Sequence, residues 1–400
     1  MVASRRYVTL AFVLIAVLAL TLVAGCGSDT NDDGGTTPAE NKEPIKVGAV
    51  LAITGPQSAL GEPERNVIDM EVKRINDAGG INGRELQVII EDDASDVDQA
   101  VTATTRLIEQ EQVVAIIGST GTGQTMQMRG EIDKAKIPQV SLAGALVVTD
   151  PLDSLVFQTP WSNALVAPAT LAYLKEKGLT KVGLISEDTG FGKDGRKLVP
   201  ELAPGYGLTI VGDEVFKPTD TDMTAQLTVL KSKGADVILM WSSTAASAIV
   251  PKNMAQLKMT MPLVGSHGIA SQAFVTGAGT AAEGITMFAG KILAPEAYGV
   301  DSEGYKLATD FITRYTEAYG EAPSNTFAGH AYDGLYLVVE AMKRLPETFT
   351  AAELRDEIEK TSGWQGIGGV FTFSPTDHNG MTESDLVRYV VEGGKWALAK

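Results

Sequence analysis

Residues 45–91, IKVGAVLAITGPQSALGEPERNVIDMEVKRINDAGGINGRELQVIIE, hold the pattern from which the architecture follows. Ile45 to Ile53 is a short apolar run rich in β-branched side chains and is broken by Thr54-Gly55-Pro56. Such a run reads as a strand buried on both faces. From Glu64 to Ala78, apolar residues recur at Val67, Ile68, Met70, Val72 and Ile75 against a charged face, which is a helical period. Gly79 to Gly83 ends it, and Glu85 to Glu91 returns as a strand. The grammar continues with a helix over Asp98–Glu109, a strand over Val113–Ile117, a helix ending through Glu131–Lys136 and a strand over Pro138–Leu142. Strands alternating with helices at this spacing make a parallel sheet with helices on both faces.

The same grammar restarts after Pro160. It predicts helices over Leu165–Lys177, Lys193–Leu202, Thr224–Lys233 and Ala245–Leu257. It predicts strands over Lys181–Ser186, Leu208–Phe216, Asp236–Trp241 and Pro262–Gly265. Two α/β units of similar size imply two lobes with a cleft between them. Helices over Glu303–Tyr319, Ala331–Leu345 and Ala351–Thr361 follow. Val387–Val391 and Lys395–Ala399, joined by Glu392-Gly393-Gly394, read as a terminal hairpin.

The chain of 400 residues carries a net charge of −17, a field that repels phosphate backbones and argues against a nucleic-acid partner. Its one cysteine, Cys26, excludes an internal disulfide and cysteine-based metal or cluster sites, and three histidines leave little for a histidine-rich metal site. No cofactor and no metal are expected. Arg5 and Arg6 precede an apolar run from Tyr7 to Ala24, which reads as an export signal over residues 1–25. The arginine pair suits a general secretory signal and also resembles, over a short match, a twin-arginine one. Val23-Ala24-Gly25-Cys26 resembles the lipobox of bacterial lipoproteins, which makes Cys26 the expected lipid attachment point. Cleavage there removes both arginines and no acid, so the mature charge becomes −19. The polar stretch to Pro44, almost without apolar side chains, reads as a flexible tether. The expected location is the outer face of a bacterial cell membrane.

In open α/β sheets a ligand sits beyond the carboxyl ends of the strands. The loop after Val113–Ile117 is Gly118-Ser119-Thr120-Gly121-Thr122-Gly123-Gln124-Thr125, running into a helix. Glycines admit a close backbone approach, hydroxyls donate, and N–H groups at a helix start favour an anion. The loop lacks the lysine of a P-loop and the spacing of a dinucleotide fingerprint. Ser141 to Ala145 follows the next strand, and Glu187–Gly192, Trp241–Thr244 and Gly265–Gly268 are the corresponding loops of the second unit.

From Ile45 onward the chain resembles the periplasmic leucine/isoleucine/valine-binding protein family, the solute receptors of ABC importers. The resemblance rests on IKVGAVLAITGPQSALGE, EVKRINDAGGINGRELQVIIEDDASD, AIIGSTGTGQT, IPQVSLAGA, GLISEDTGFGKDG, TDMTAQLTVLKSKGADVIL, LVGSHGIAS and FAGHAYDGLYLVVEAMKRL. It implies two Rossmann-like lobes joined by a three-crossover hinge, with crossings near Thr159-Pro160, Gly290 and Gly380. Lobe 1 is then 45–159 with 291–380, and lobe 2 is 160–290 with 381–400. It also implies an ABC permease and ATPase as partners. Matched position by position, it puts the ligand carboxylate on Thr122, with Gly123 and Ser119 nearby, and backbone help at Ala143 and Gly144. Ala145 stands where amino-acid binders usually keep a hydroxyl, and Leu60 where many keep an aromatic. Phe191 matches an aromatic packed on the ligand side chain, with Trp241 or Thr244 near another contact. His267 stands where binders of α-amino acids tend to place an acid that pairs with the ammonium.

These departures point to a small apolar or aromatic carboxylate, with Thr122 on its carboxylate and His267 on a distal polar group. The competing ligand is a hydrophobic amino acid whose ammonium is held by another acid, such as Asp188. His267 could also simply cap a backbone group. His330 reads as a packed, hydrogen-bonded structural histidine, His378 as an exposed turn residue, and Asp92, Asp93 and Asp96 as a solvated strand end. Trp161, Trp364 and Trp396 read as packing residues. Two other classes share the grammar. A sensory ectodomain would pass its signal through a separate membrane partner. A two-lobed enzyme would need a catalytic set, and none can be placed beyond a possible Asp188–His267 acid–base pair.

Overall fold

The computed structural model describes residues 42–400, so the export signal, Cys26 and nearly all of the tether lie outside the described residues. The first sheet is built from β1 (Ile45–Leu51), β2 (Leu86–Asp92), β3 (Ile116–Gly118), β4 (Gln139–Ser141) and β5 (Val156–Gln158). These pair in the order β2-β1-β3-β4-β5, all parallel, with α1 (Ser58–Asp77), α2 (Val97–Glu109) and α3 (Thr122–Ala135) as connections. The chain then passes into a second α/β unit. Its elements are α4 (Asn163–Glu176), β6 (Lys181–Glu187), α5 (Gly190–Leu202), β7 (Thr209–Phe216), α6 (Thr224–Ser232), β8 (Val237–Trp241), α7 (Ile249–Gln256), β9 (Leu263–Gly265), α8 (Gln272–Ala278) and β10 (Thr286–Ala289). It next returns to the first lobe through α9 (Glu303–Tyr319), α10 (Phe327–Arg344), α11 (Ala351–Glu359) and the small pair β11 (Trp364–Gln365) and β12 (Val370–Phe371). Finally β13 (Val387–Glu392) and β14 (Lys395–Leu398) complete the second sheet, whose order is β14-β13-β10-β9-β8-β6-β7. β13 runs antiparallel to both neighbours, and the remaining pairs of that sheet are parallel. The molecule is a two-lobed α/β protein.

The apolar runs become fully buried strands, because helices cover both faces of each sheet: Val47, Ala49 and Leu51, and likewise Leu184, Leu239 and Met240, have no exposed surface. Where the structure departs from the periodicity, the causes are local. α1 starts at Ser58, well before the apolar repeat becomes legible, and Pro63 lies inside it. The carbonyl that Pro63 leaves without an amide partner, that of Ala59, accepts instead from Asn325 Nδ2 at 2.8 Å. The expected helix over Ala245–Leu257 divides into a 3-10 turn (Ala245–Ala248) and α7. β5, β10 and α8 were not legible in the pattern, being only 3, 4 and 7 residues long.

Three chain crossings meet in one buried seam between the lobes. Asn379 Nδ2 donates to the Pro160 carbonyl at 2.8 Å, and Tyr389 Oη donates to the Gly290 carbonyl at 2.7 Å. The Trp161 ring packs against Gly290, where an added Cβ would come within 1.8 Å of it. Its indole N–H donates to the Gly368 carbonyl at 3.1 Å. Asp333 anchors the other side, accepting from the amides of Ile367 and Gly368, both at 2.6 Å. Burial pushes its carboxyl up to about 8 despite those two donors.

Two expectations are corrected here. His378 is not exposed; it has no accessible surface. Its turn closes over the edge strand β5, where its carbonyl accepts from Gln158 N, its Nδ1 lies 2.9 Å from the Val156 carbonyl and its Nε2 3.1 Å from Glu359 Oε1. The ring stacks on Phe157 at 4.2 Å. Of Asp92, Asp93 and Asp96, read as a solvated strand end, Asp96 is exposed and Asp92 half-buried, but Asp93 is fully buried. Asp92 ties down the amides of Ile53, Thr54 and Ala94, Asp93 is buried against the Ser119 hydroxyl, and Asp96 caps α2.

Candidate ligand-binding cleft

Nearly all the loops that line the interlobe cleft follow the carboxyl end of a strand. From the first lobe, β1 leads to Gln57 and Leu60, β3 to Thr120 and Thr122, and β4 to Leu142 and Gly144. From the second lobe, β6 leads to Phe191, β8 to Ser243, and β9 to His267 and Gly268. Pro160 and Phe327 close the side facing the hinge. The lobes stand closed, leaving about 10 Å³ of free space, roughly that of one water molecule.

Direct contacts hold that closure. Gln57 Nε2 donates to Ser243 Oγ at 3.2 Å, and Ala245 N donates to the Pro56 carbonyl at 3.1 Å. Asp194, on α5, accepts from the amides of Leu146 and Val147 at 2.9 and 3.2 Å. Gly190 begins α5 directly against α3, and a Cβ on it would come within 2.7 Å of the Gly123 amide nitrogen.

The expected residues divide into groups. Thr122, Gly144, Leu60, Phe191 and His267 meet in the cleft. Thr122 is the first residue of α3, and its buried Oγ1 has no hydrogen-bond partner. It stands where unpaired amides and the helix dipole favour a negative group. Gly123 forms the close contact with Gly190. Ser119 and Ala143 stand behind the wall: the Ser119 hydroxyl donates to Asp93, and the Ala143 carbonyl accepts from Gln158 Nε2 at 2.7 Å. Trp241 is also behind, with its ring against Gly195 and its N–H donating to Asn163 Oδ1 at 3.2 Å. Thr244 lies beside the cleft, in an adjoining chamber. Asp188 is exposed, paired with Lys193 at 2.9 Å, and is not a lining residue.

No lining residue carries a charge at neutral pH. Burial pushes the His267 imidazole down to about 3, opposed only by the nearby Trp161 carbonyl, so the ring is neutral. Neither of its nitrogens has a partner at hydrogen-bond geometry, and Nε2 lies 2.5 Å from where a Gly144 Cβ would be. Phe191 packs edge-on against the ring at 5.2 Å. Behind it, His330 is also neutral, pushed down to about 3 by burial and by the neighbouring His267. It is packed as expected, edge-on to Trp161 at 4.6 Å, but the expected ring hydrogen bond is missing, and its buried Nδ1 has no partner.

No acid lines the cleft; the nearest ones are buried behind its walls. Glu187, which pattern reading passed over in favour of its neighbour Asp188, is buried and accepts four bonds. Oε1 takes the hydroxyls of Thr189 (2.7 Å) and Ser243 (2.8 Å), and Oε2 takes the Ser242 hydroxyl (2.6 Å) and the Thr244 amide (3.0 Å). Its lone pairs are spent on fixing the Ser242–Thr244 loop. Glu64 lies behind Thr120, whose hydroxyl donates to Oε2; burial raises its carboxyl well above the usual range, and Oε1 has no partner. Burial likewise raises Asp93, to about 6, and it is bonded to Ser119 and Ser95. Gln57 was missed as well. It sits two residues beyond the Gly55 turn after β1, the place the strand-end rule indicates, but an isolated glutamine has no periodic signature.

Comparison with known proteins agrees with this geometry. The family described as periplasmic binding protein matches residues 44–395. The chain belongs to the periplasmic binding protein family. A curated relative, Leu/Ile/Val-binding protein homolog 7 of Brucella abortus (strain 2308), is 26% identical over 357 residues, covering 84% of this chain and 86% of the relative. An extracellular ligand-binding receptor from Rhodopseudomonas palustris HaA2 superposes with a TM-score of 0.83 at 24% identity, covering 89% of this chain and 99% of that one, which bears on the fold. The branched-chain amino acid transporter substrate-binding protein LivJ of Streptococcus pneumoniae, solved in complex with isoleucine, superposes with a TM-score of 0.78 at 26% identity, covering 88% of this chain and 97% of that one.

Proposed function

We propose that the protein is the solute receptor of an ABC importer, an exported lipoprotein held by Cys26, which captures a small apolar or aromatic carboxylate between its lobes. The observation that carries the ligand class is the pairing of Thr122 with the absence of a free acid among the lining residues. An unpartnered hydroxyl at the start of α3 suits a carboxylate. An α-ammonium, by contrast, would enter a closed cleft with no acid among its lining residues, Glu187 being saturated and Glu64 set behind Thr120. Leaving such a charge unpaired costs about 3–5 kcal/mol. His267 then offers one ring nitrogen to a distal polar atom of the ligand, as donor or acceptor according to its tautomer.

Capture needs no covalent chemistry. Ligand bridges the lobes and shifts the open–closed balance by its extra affinity for the closed form. That form docks on a permease, with ATP hydrolysed on a separate subunit. A second reading, a hydrophobic amino acid, is favoured by the isoleucine-bound relative. Protein expressed in a rich medium, purified without refolding and denatured into a mass spectrometer, decides between them. We expect a released monocarboxylate. Stoichiometric leucine, isoleucine or valine would favour the second reading.

A further inference from the structure

The cleft does not end at His267. A second chamber of about 130 Å³ adjoins it and shares Leu60, Ser243 and Gly268 with it. Its walls combine Leu60, Ile269 and Phe274 with small residues drawn from both lobes. Ala59 comes from α1, Ala248 from the turn before α7, and Ala273 and Gly277 from α8. The wall is nearly closed where Gly277 meets Ala248, since a Cβ on the glycine would sit 2.9 Å from the alanine methyl. At Ala273 the rim reaches solvent. The polar side chains here are mostly spoken for: Ser247 donates to the Thr244 carbonyl, and Ser271 caps α8. The exception is Thr244, which lines the chamber, is 3% exposed, and has an Oγ1 without a partner. A buried hydroxyl left unmatched beside an apolar recess is a costly arrangement unless something fills it.

We infer that this chamber is a second ligand subsite, which takes an unbranched apolar arm extending from the carboxylate-bearing part of the ligand and ending in a hydrogen-bonding oxygen that meets Thr244. The inference rests on the proposed carboxylate at Thr122. The two anchors lie in different lobes, so an extended ligand is held at both ends by closure. The ligand class is therefore a medium-length or aryl-alkyl monocarboxylate with a terminal hydroxyl or carbonyl. Small residues fit this role because they leave width for a chain while adding apolar surface along it.

The test is a calorimetric series of straight-chain carboxylates from butanoate to octanoate, on the purified full-length body of the protein. Affinity should rise about fourfold per methylene over the lengths that enter the chamber, the equivalent of about 0.8 kcal/mol per buried CH₂. 8-Hydroxyoctanoate should bind more tightly than octanoate, and Thr244→Val should remove that preference. Ala273→Phe, at the exposed rim, should flatten the rise and leave butanoate unchanged. A flat or falling series in the wild type, with butanoate bound, would overturn the chamber and leave the carboxylate reading standing. Heat from isoleucine with none from any carboxylate would overturn both.

Discussion

Gly190→Leu should yield a folded protein that binds its ligand about 10–100-fold more weakly. Gly190 is the first residue of α5 and stands against the backbone of Gly123. A Cβ alone would approach the Gly123 nitrogen to 2.7 Å and the Thr122 carbonyl carbon to 3.2 Å. Backbone atoms at two helix starts cannot swing aside as a side chain could, so the lobes must stay apart. Within α5 itself leucine is a better helix former than glycine, so folding should not suffer. Overpacking of this kind costs about 1–3 kcal/mol, which is the stated loss in affinity. The expected signature is an unchanged or raised Tm, weak binding by calorimetry, and a radius of gyration that no longer contracts when ligand is added. Ligand affinity equal to wild type would mean that capture does not require the closure seen here.

His267→Glu should reverse the ligand preference. The wild-type imidazole is neutral and contributes no charge to the cleft. A carboxylate at the same buried position would repel a bound carboxylate and would be neutralised by an ammonium. We expect the variant to lose apolar carboxylates by about 100-fold, and to gain measurable affinity for isoleucine, on the order of a buried charge pair of a few kcal/mol. Titration of both ligands into both proteins gives the full exchange. A variant that keeps the wild-type order of ligands would remove His267 from the determinants of specificity.

The fold was largely legible because its signals are local. Buried parallel strands are continuous apolar runs, and the loops after β1, β3, β4, β6, β8 and β9 stand at strand ends that can be read from those runs. What escaped was set by tertiary partners. α1 could begin before Pro63 only because Asn325, far away in sequence, takes the Ala59 carbonyl. His378 looked exposed because nothing in its turn announces that the turn closes over β5. Glycines and hydroxyls marked loops that line the cleft, and Thr122, Gly144, Phe191 and His267 converge there. Which acid would face inward was not legible. Glu187 and Asp188 are adjacent in sequence and point to opposite environments, because side chains alternate at the end of a strand. One is buried under four donors, and the other is exposed and paired with Lys193.

Under the proposed function, this cleft closes on a carboxylate and not on a zwitterion. A calorimetric panel of leucine, isoleucine, valine, phenylalanine, benzoate and hydroxybenzoate on the wild-type protein tests it most directly. We expect heat from the aromatic acids and none from the amino acids. Tight leucine binding with silence from benzoate and hydroxybenzoate would contradict it.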